Sequence, residues 1–398
     1  MSIVEGKMKI LMVNRGIFPV PSDEGCGAEQ HTFFLTNALA ELGHEVHYVT
    51  DVTENARFHK NVIIYKPRTP ALKQKANFYG YALSHFVGNT FAFKEAFSIL
   101  IQKGFDFDVI HCHGALSSLY ISMIRNKVPL LFTVHDPTPY LCHYENSFER
   151  LIRKAHCRLI DMNNWRRANR IVAVSKAIRN ELVRWGIPPE KIITIYNGVN
   201  TDFFRPAALT KNALNKYTIK NPYCLFVGRL TRRKGVHYLL QALAKADSNC
   251  VIVGDGPERD NLMALAKKKG ILSRVMFTGF IPVKDLQTLY AGAEFFVLPS
   301  TAEGVALTIL EAMSSGLPVI TADIPGASEV VLDGYNGFLV APRDVEALTS
   351  KIQVLEKERE TCKNMCNNAR QLVIKNFSWR SIAEKIVEVY QKMALPTS

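Results

Sequence analysis

Residues 303–320 read EGVALTILEAMSSGLPVI, in which an apolar helical pattern runs into Gly316 and Pro318 and then into a short β-branched run. The apolar positions share helical spacing: Leu307, Leu310, Ala312 and Met313. Because glycine and proline end helices, the pattern predicts a helix that stops there and a buried strand over residues 319–321. A helix that leads into a buried strand is the repeating unit of an α/β fold.

The same stretch places two carboxylates, Glu303 and Glu311, eight positions apart at the start of the predicted helix. Eight helical residues rise about 12 Å, which is roughly the span from the sugar ring to the ribose of a nucleotide-sugar diphosphate. The N-terminus of the helix also offers unpaired N–H groups to an anion. These features predict Glu303 beside a sugar and Glu311 beside a ribose, whereas two glutamates on a solvated helix face are the simpler alternative.

Short strand patterns alternate with helical patterns along the chain. In the first half they occupy residues 9–13, 46–50, 62–65, 109–111, 130–134, 170–174 and 192–195. In the second half they occupy residues 224–227, 251–253, 275–277, 295–298 and 319–321. Such alternation predicts an α/β protein with two Rossmann-like domains that face each other across a cleft. The periodicity lapses over residues 200–222, and we place the domain boundary at 205/206.

Length and charge restrict the function classes. A chain of 398 residues with a net charge of +13 is long enough for two domains and predicts anionic partners. No apolar run approaches the roughly 18 residues that a spanning helix needs, and the first residues are too charged for a signal peptide. We therefore expect a cytoplasmic protein, and its eight scattered cysteines fit a reducing compartment. No nucleic-acid partner is expected, because no reading motif accompanies the charge.

Two helix-competent segments, 72–101 and 148–165, combine basic with aromatic residues. Cations suit anionic headgroups, and large apolar side chains suit the membrane interface. The segments therefore predict peripheral contact with an anionic membrane at its inner face, with a lipid or lipid-linked sugar as acceptor. The alternative is a solvated basic face over an ordinary apolar face.

Two predicted strand ends carry candidate site residues. Arg229 and Lys234 flank the loop of GRLTRRKG, and two cations there suit a diphosphate leaving group. His135 follows another predicted strand, in FTVHDP. Open α/β sheets bind ligands at the carboxyl ends of their strands, which favours a site at both loops. A solvated basic turn and a structural histidine are the respective alternatives.

A pair of histidines, His111 and His113, lies in the motif HCHG. Imidazole is a common ligand of transition metals, so the pair raises the question of a metal site. No third ligand accompanies the pair at a metal spacing, and we therefore predict no metal site.

An ordered set of motifs extends over nearly the whole chain: CGAEQ, ELGHEV, DVIHCHG, FTVHD, IVAVS, YNGVNTDFFRP, FVGRLTRRKG, VGDGP, FTGFIP, PGASEVVLDGYNGFLV and NFSWRSIAEKIVEVY. In this order, and with the paired glutamates, they resemble the group 1 glycosyltransferases, retaining nucleotide-sugar-dependent enzymes with the GT-B architecture. The resemblance implies an acceptor domain over residues 1–205 and a donor domain over 206–376. It also implies that a C-terminal helix within 377–398 crosses back to the first domain.

The resemblance implies a hexosyltransferase that moves a sugar, with retention, from a nucleotide-diphosphate sugar to the hydroxyl of a sugar, glycolipid or other small molecule. No cofactor and no metal are implied. The implied catalytic residues are His135, Glu303, Arg229 and Lys234. The implied donor-binding residues are Gly27, Arg229, Lys234, Glu303, Val305, Ala306, Leu307 and Glu311.

Two departures from the family pattern touch the donor site. Cys26 and Gly27 stand where the family usually has two glycines, and Val305 and Ala306 stand where it often has Phe and Gly. The identity of the sugar and of the base therefore stays open. Two other functions also stay open: a nucleotide-sugar enzyme without transfer, such as an epimerase, and a catalytically silent accessory subunit. The joint presence of the implied site residues argues against the silent subunit.

Overall fold

Buried runs of Val, Ile, Leu and Phe form the strands of the structure, a computed structural model that describes residues 6–14, 27–50, 56–66, 94, 96–113, 127–135, 161–207, 217, 219–303 and 307–394. The chain divides into two units, Met1–Gly198 with Trp379–Ser398, and Val199–Ser378. The divisions predicted from the sequence are 205/206 and 376/377. Each unit contains its own parallel sheet with flanking helices, which confirms the predicted α/β class.

The described residues of the first unit form seven strands: β1 (Lys9–Val13), β2 (Glu45–Val49), β3 (Val62–Tyr65), β4 (Val109–Cys112), β5 (Leu130–Val134), β6 (Arg170–Ala173) and β7 (Ile192–Thr194). They pair in parallel in the order β3-β2-β1-β4-β5-β6-β7. Strands β4 and β5 are buried along their whole length, as expected where helices cover both faces. Among its described helices are α1 (Gly27–Glu41), α2 (Met162–Arg167), α3 (Lys176–Arg184) and, near the end of the chain, α10 (Trp379–Ala394).

Side chains alternate between the two faces of this sheet, so each strand feeds two cores. Ile10 and Met12 of β1 lie in a core that α1 and α10 cover. Leu11 and Val13 lie in the other core, which α2 and α3 cover. Helix α10 presents its buried residues at helical spacing: Ile382, Ala383, Ile386 and Tyr390. Its apolar face therefore belongs to the core of the first unit.

In the second unit the described residues form six strands: β8 (Tyr223–Val227), β9 (Asn249–Val253), β10 (Val275–Gly279), β11 (Phe295–Leu298), β12 (Val319–Ala322) and β13 (Gly337–Val340). They pair in parallel in the order β10-β9-β8-β11-β12-β13. Its helices are α4 (Val236–Leu243), α5 (Arg259–Lys268), α6 (Val283–Gly292), α7 (Leu307–Ser314), α8 (Val345–Lys357) and α9 (Arg359–Phe377). Strand β13 is the one described strand that the sequence pattern did not predict.

The direction of strand addition reverses once in each sheet. In the first unit the reversal lies between β1 and β4, and in the second it lies between β8 and β11. In open α/β sheets, ligands bind at the carboxyl ends of the strands beside such a reversal. The fold therefore directs attention to the residues that follow β1, β4, β8 and β11.

Membrane contact was predicted from the segments 72–101 and 148–165, which lie largely outside the described residues. Their described parts supply helical residues 96–101 and the start of α2. Within the part of the chain that the structure describes, no helix is both long and apolar enough to cross a membrane.

Candidate active site

The loop that follows β8, residues 228–235, carries four cations, Arg229, Arg232, Arg233 and Lys234, and is named the cationic loop below. It contains a 3₁₀ turn over Arg232–Lys234 and ends at Gly235, whose φ is 71°. A Cβ on Gly235 would lie 2.0 Å from the carbonyl oxygen of Pro299, which follows β11. Only glycine permits both this φ and this approach, so the motif residue brings the loops after the two switch-point strands together.

Hydrogen bonds to backbone carbonyl oxygens join these loops. The N–H of Thr301 donates to the carbonyl oxygen of Arg233 over 2.9 Å. The guanidinium Nη1 of Arg233 donates to the carbonyl oxygen of Ala302 over 3.2 Å. Residues that are distant in sequence are thereby fixed beside each other at the carboxyl ends of β8 and β11.

A buried ion pair lies at this junction. Nζ of Lys234 is 2.6 Å from Oε1 of Glu303, and the two side chains are only 14% and 6% exposed. Burial raises the pKa of Glu303, but the charges of Lys234 and Arg233 outweigh it, and the net pKa lies below the ordinary value. Glu303 is therefore an ionised carboxylate at neutral pH, held by a short charge-assisted hydrogen bond.

Arg229 is exposed, and its side chain forms neither a hydrogen bond nor an ion pair with another described residue. The two cations that the sequence pattern paired therefore differ in state: Lys234 already has a carboxylate partner, whereas Arg229 is available to an incoming anion. Arg233, which the sequence analysis did not select, is the second cation that acts on Glu303. Its signal was present in the motif TRRKG.

The helix of the stretch 303–320 begins later than predicted. Helix α7 starts at Leu307, and Glu303 lies before it in non-helical backbone. The prediction that one helix carries both glutamates is therefore wrong, because the residues up to Glu303 bond to the cationic loop instead. Leu307 is half-buried, whereas Val305 and Ala306 lie outside the described residues.

Glu311 lies on α7 and is partly buried. Burial raises its pKa to about 7, and a hydrogen bond from the Tyr290 hydroxyl to Oε2 over 2.9 Å lowers it only in part. The alternative of two solvated glutamates is wrong for this pair, since Glu303 is 7% exposed. The two carboxylates have opposite pKa shifts because only Glu303 has a cationic partner.

The first unit assembles three imidazoles, His31, His113 and His135, named the histidine cluster below. His31 lies in the first two turns of α1, while His113 and His135 directly follow β4 and β5. Nδ1 of His113 is 3.1 Å from Nε2 of His135. The ring centroids of His31 and His135 are 4.6 Å apart in an edge-to-face arrangement. The cluster therefore lies at the carboxyl end of the sheet, beside its switch point.

Polar and aromatic contacts hold His31 in place. Its Nδ1 is 2.9 Å from Oδ1 of Asn197, and its ring is 5.1 Å from that of Trp379 in α10. Burial lowers the pKa of His31 to about 4 against the opposing effect of Asn197, so the imidazole is neutral at pH 7.

His111 lies in β4, two residues before His113, and packs against the ring of His113. Its two ring nitrogens lie 2.7 Å from the hydroxyls of Tyr390 and Thr133, and its ring is 4.3 Å from that of His113. His111 is thereby committed to hydroxyl partners, which removes it from the pair of metal ligands considered from the sequence. Gly27, the other site residue predicted in this unit, is the first residue of α1.

Family models match both halves of the chain. Glycosyltransferase Family 4 matches residues 25–203, and Glycosyl transferases group 1 matches residues 210–372. Alpha-maltose-1-phosphate synthase of Mycobacterium tuberculosis is 31% identical over 310 residues, which cover 72% of this chain and 79% of that enzyme. This chain belongs to the group 1 glycosyltransferases.

Solved structures agree with the fold of a glycosyltransferase. Sucrose-phosphate synthase from Thermosynechococcus elongatus matches with a TM-score of 0.77 and 23% identity, over 98% of this chain and 99% of that one. HepE of Anabaena, in complex with UDP and glucose, matches with a TM-score of 0.68 and 21% identity, over 97% and 100%. The matches show the GT-B fold that the motifs predicted.

The candidate site contains residues that sequence reasoning missed. Arg233 acts on Glu303 and Tyr290 bonds to Glu311. His31 packs against His135, and Asn197 in turn bonds to His31. His31 directly follows the quoted motif CGAEQ, and Asn197 lies within YNGVN. Neither shows a spacing that relates it to His135, because only the sheet topology brings them together.

Proposed function

We propose that this glycosyltransferase transfers a hexose, with retention of configuration, from a nucleoside-diphosphate sugar to an acceptor hydroxyl. The observation that carries the proposal is the buried Lys234–Glu303 pair beside the exposed Arg229 at the switch point of the second sheet. This arrangement offers positive charge to a phosphate and a fixed carboxylate to sugar hydroxyls. A nucleotide sugar contains both the phosphate and the sugar hydroxyls in one ligand.

In the proposed donor complex the cations bind the diphosphate. Arg229 contacts it directly, and Lys234 contacts it while it keeps Glu303 ionised. Glu303 accepts hydrogen bonds from hydroxyls of the transferred sugar, and Glu311 contacts the ribose. Gly27 admits the donor phosphates to the backbone before α1, and residues Val305, Ala306 and Leu307 complete the donor site. The UDP bound to HepE, a structure with the same fold, supports a nucleotide donor.

The proposed reaction breaks the bond between the anomeric carbon and the β-phosphate oxygen, which keeps the electron pair. The acceptor oxygen attacks the same face of the sugar, and its proton passes to the departing phosphate oxygen. Arg229 and Lys234 stabilise the charge that develops on that phosphate, a role worth about 2–4 kcal/mol for a well-placed donor. His135 contacts the transferred sugar, and its position is set by His113.

We further propose that no metal and no cofactor take part, because two cations already serve the diphosphate. Turnover is expected to persist in excess EDTA. Loss of activity on chelation, with recovery on addition of Mg²⁺ or Mn²⁺, would contradict this part of the proposal.

The decisive experiment combines donor binding with product analysis. Thermal shifts with UDP, GDP and ADP identify the base, because a ligand of the folded state raises the melting temperature by mass action. The corresponding sugars are then incubated with acceptor, and NMR of the product gives the anomeric configuration. An inverted product would overturn retention. Sugar isomerised in the absence of acceptor would instead favour the epimerase, and no binding of any nucleotide would favour a silent subunit.

The acceptor is proposed to be a lipid or lipid-linked sugar at an anionic membrane on the cytoplasmic side. Support comes from the net charge of +13 and from the basic, aromatic segments 72–101 and 148–165. Each Lys or Arg near such a surface contributes about 1 kcal/mol, so several together suffice for reversible binding. Sedimentation with liposomes is expected to show binding to anionic but not neutral lipid, weakening with salt. If the protein sedimented with neither anionic nor neutral liposomes at low salt, the proposal of a membrane acceptor would be contradicted.

A further inference from the structure

We propose that the histidine cluster, His31, His113 and His135, is a binding site for a transition-metal dication such as Zn²⁺, and that its occupancy inhibits transfer. The binding claim rests on the cluster alone. The inhibition claim rests on the proposed role of His135 in transfer.

The distances fit a metal with imidazole ligands. One ring nitrogen from each histidine lies within 4.8 Å of the others. Nitrogens bound tetrahedrally at metal distances of about 2.0–2.1 Å lie about 3.3 Å apart. Nδ1 of His113 and Nε2 of His135 are already 3.1 Å apart. Closing the triad therefore requires one ring to move by about 1.5 Å or less.

Each ligand has a nitrogen that suits the role. His31 and His113 are 2% and 0% exposed. Nε2 of His31 is buried and has no hydrogen-bond partner among the described residues. Between His113 and His135 the metal replaces the present hydrogen bond, and the displaced proton moves to the other nitrogen of its own ring. Both imidazoles thereby stay neutral, as ligands must be.

The surroundings resemble the outer shell of known metal sites. A metal-binding histidine usually donates its second N–H to a carbonyl or carboxylate, which fixes the ring. Asn197 offers its amide oxygen to Nδ1 of His31 over 2.9 Å, and Trp379 packs against the same ring. His31 therefore has a fixed ring whose Nε2 is the ligating atom.

The ligand set selects the class of metal. Imidazoles suit Zn²⁺, Cu²⁺ and Ni²⁺, whereas Mg²⁺ and Ca²⁺ prefer oxygen ligands. Three histidines leave a fourth position for water. A metal at this site binds the Nε2 of His135 that otherwise pairs with His113, and it adds positive charge where the transferred sugar would lie. Zinc is therefore expected to inhibit rather than activate.

The binding test uses the full chain, stripped of metal with EDTA and titrated with ZnCl₂ by calorimetry, with MgCl₂ in parallel. One Zn²⁺ per chain is expected at the cluster, and no Mg²⁺. His31→Gln and His113→Gln should each weaken zinc binding more than tenfold, and Asn197→Ala about tenfold through the outer shell. His237→Gln, a partly buried histidine of the other unit, is the matched control and should leave binding unchanged.

Circular dichroism confirms that each variant is folded, and Co²⁺ absorption provides a second readout, since tetrahedral nitrogen ligation gives visible bands. Zinc affinity that is the same in wild type, His31→Gln and His113→Gln would overturn the site. Absence of zinc binding by the folded wild type would do the same.

Inhibition is measured separately, as the ratio of turnover with and without equimolar Zn²⁺ for each protein. Wild type should lose most of its turnover and recover it with EDTA, while His31→Gln should show a ratio closer to one. Full activity with zinc bound would overturn the inhibition claim only. If no transfer is found for any donor, the proposed function fails, and the calorimetric result still decides the metal site.

Discussion

The cationic loop of the second unit and the histidine cluster of the first both lie at the carboxyl ends of strands, beside the switch point of their sheet. Different interactions stabilise the two sites. The cationic loop is fixed by a buried ion pair, in which Lys234 and Glu303 are ionised. The histidine cluster is held by hydrogen bonds and by ring packing. Burial lowers the pKa of its member His31 and of the neighbouring His111, so these two imidazoles are neutral at pH 7.

The contrast shows what each site can accept. In the cationic loop, the free-energy cost of burying charged groups is incurred when the protein folds. The loop is therefore suited to an anionic ligand whose negative charge grows during reaction. A cluster of largely buried imidazoles is suited to hydroxyls, or to a dication that imidazole can ligate. The same switch-point geometry thereby supports two different chemistries.

The largest expected effect comes from breaking the ion pair. Lys234→Ala should destabilise the second unit by about 3 kcal/mol, because it leaves the Glu303 carboxylate buried and unpaired. It should also lower turnover about 30- to 1000-fold through the lost phosphate contact. Urea denaturation and initial rates measure the two effects.

A double variant separates stability from catalysis. Lys234→Ala with Glu303→Gln removes both charges and should recover most of the stability while turnover stays low. Arg229→Ala is the matched surface variant: it should lower turnover with a change in unfolding free energy below about 0.5 kcal/mol. Unchanged turnover in both Arg229→Ala and Lys234→Ala, with a confirmed donor, would remove the cationic loop from the reaction.

In the first unit, the corresponding perturbation is steric rather than electrostatic. A Cβ on Gly198 would lie 2.6 Å from Cδ2 of Trp379, the residue that packs against His31. Gly198→Ala should therefore shift Trp379 and destabilise the first unit by about 2–3 kcal/mol, as overpacking does. Gly6→Ala, where a Cβ meets nothing within 4 Å, is the control. Equal urea midpoints for the two variants would contradict the described packing.

Glu311 sharpens the comparison through pH. Its folded pKa is raised to about 7 from an ordinary 4.5, so the folded state holds a proton that the unfolded state has lost between these values. Its contribution to stability is therefore complete below about pH 4.5 and is lost as pH rises through about 7, a change of about 3 kcal/mol.

Glu311→Gln should remove this fall in stability, measured as unfolding free energy from pH 4.5 to 8. Glu303→Gln is the matched comparison and should leave that fall in place, because the folded pKa of Glu303 is lowered and its effect is lost toward acid pH. If the unfolding free energy of Glu311→Gln still decreased between pH 4.5 and 8, the decrease would belong to other titratable groups.

The sequence predicted most strands because each is a local apolar run. The sequence pattern did not predict strand β13, because the strand is short and begins with glycine. Its pairing with β12 depends on the tertiary fold rather than on the local sequence. The start of α7 escaped for another reason: the pattern of 303–320 is helical, but contacts with the cationic loop hold Glu303 outside the helix.

The two sites differ in the same respect. The cationic loop is contiguous, so the motif GRLTRRKG contains all of it, and only the pairing of Lys234 with Glu303 needed the structure. The histidine cluster draws on α1, on the ends of β4 and β5, and on support from α10. No spacing along the chain relates these residues, because their proximity depends on the strand order and on the return of α10 to the first unit.

The smallest expected effect concerns the support that α10 gives to the cluster. Tyr390→Phe removes the hydroxyl that lies 2.7 Å from Nδ1 of His111 and leaves a buried ring nitrogen unpaired, which should cost about 1 kcal/mol. Tyr290→Phe removes a hydroxyl bonded to the Glu311 carboxylate in the other unit, and above pH 7 it should cost about 2 kcal/mol because that acceptor is charged. Because both changes delete one oxygen from a buried tyrosine, their difference measures the charge of the acceptor rather than packing. Urea denaturation at pH 8 should therefore rank Tyr290→Phe as the more damaging variant, and at pH 5, where Glu311 is protonated, the difference should narrow. If Tyr290→Phe and Tyr390→Phe lost the same unfolding free energy at pH 5 and at pH 8, the charge of the acceptor would not distinguish the two sites.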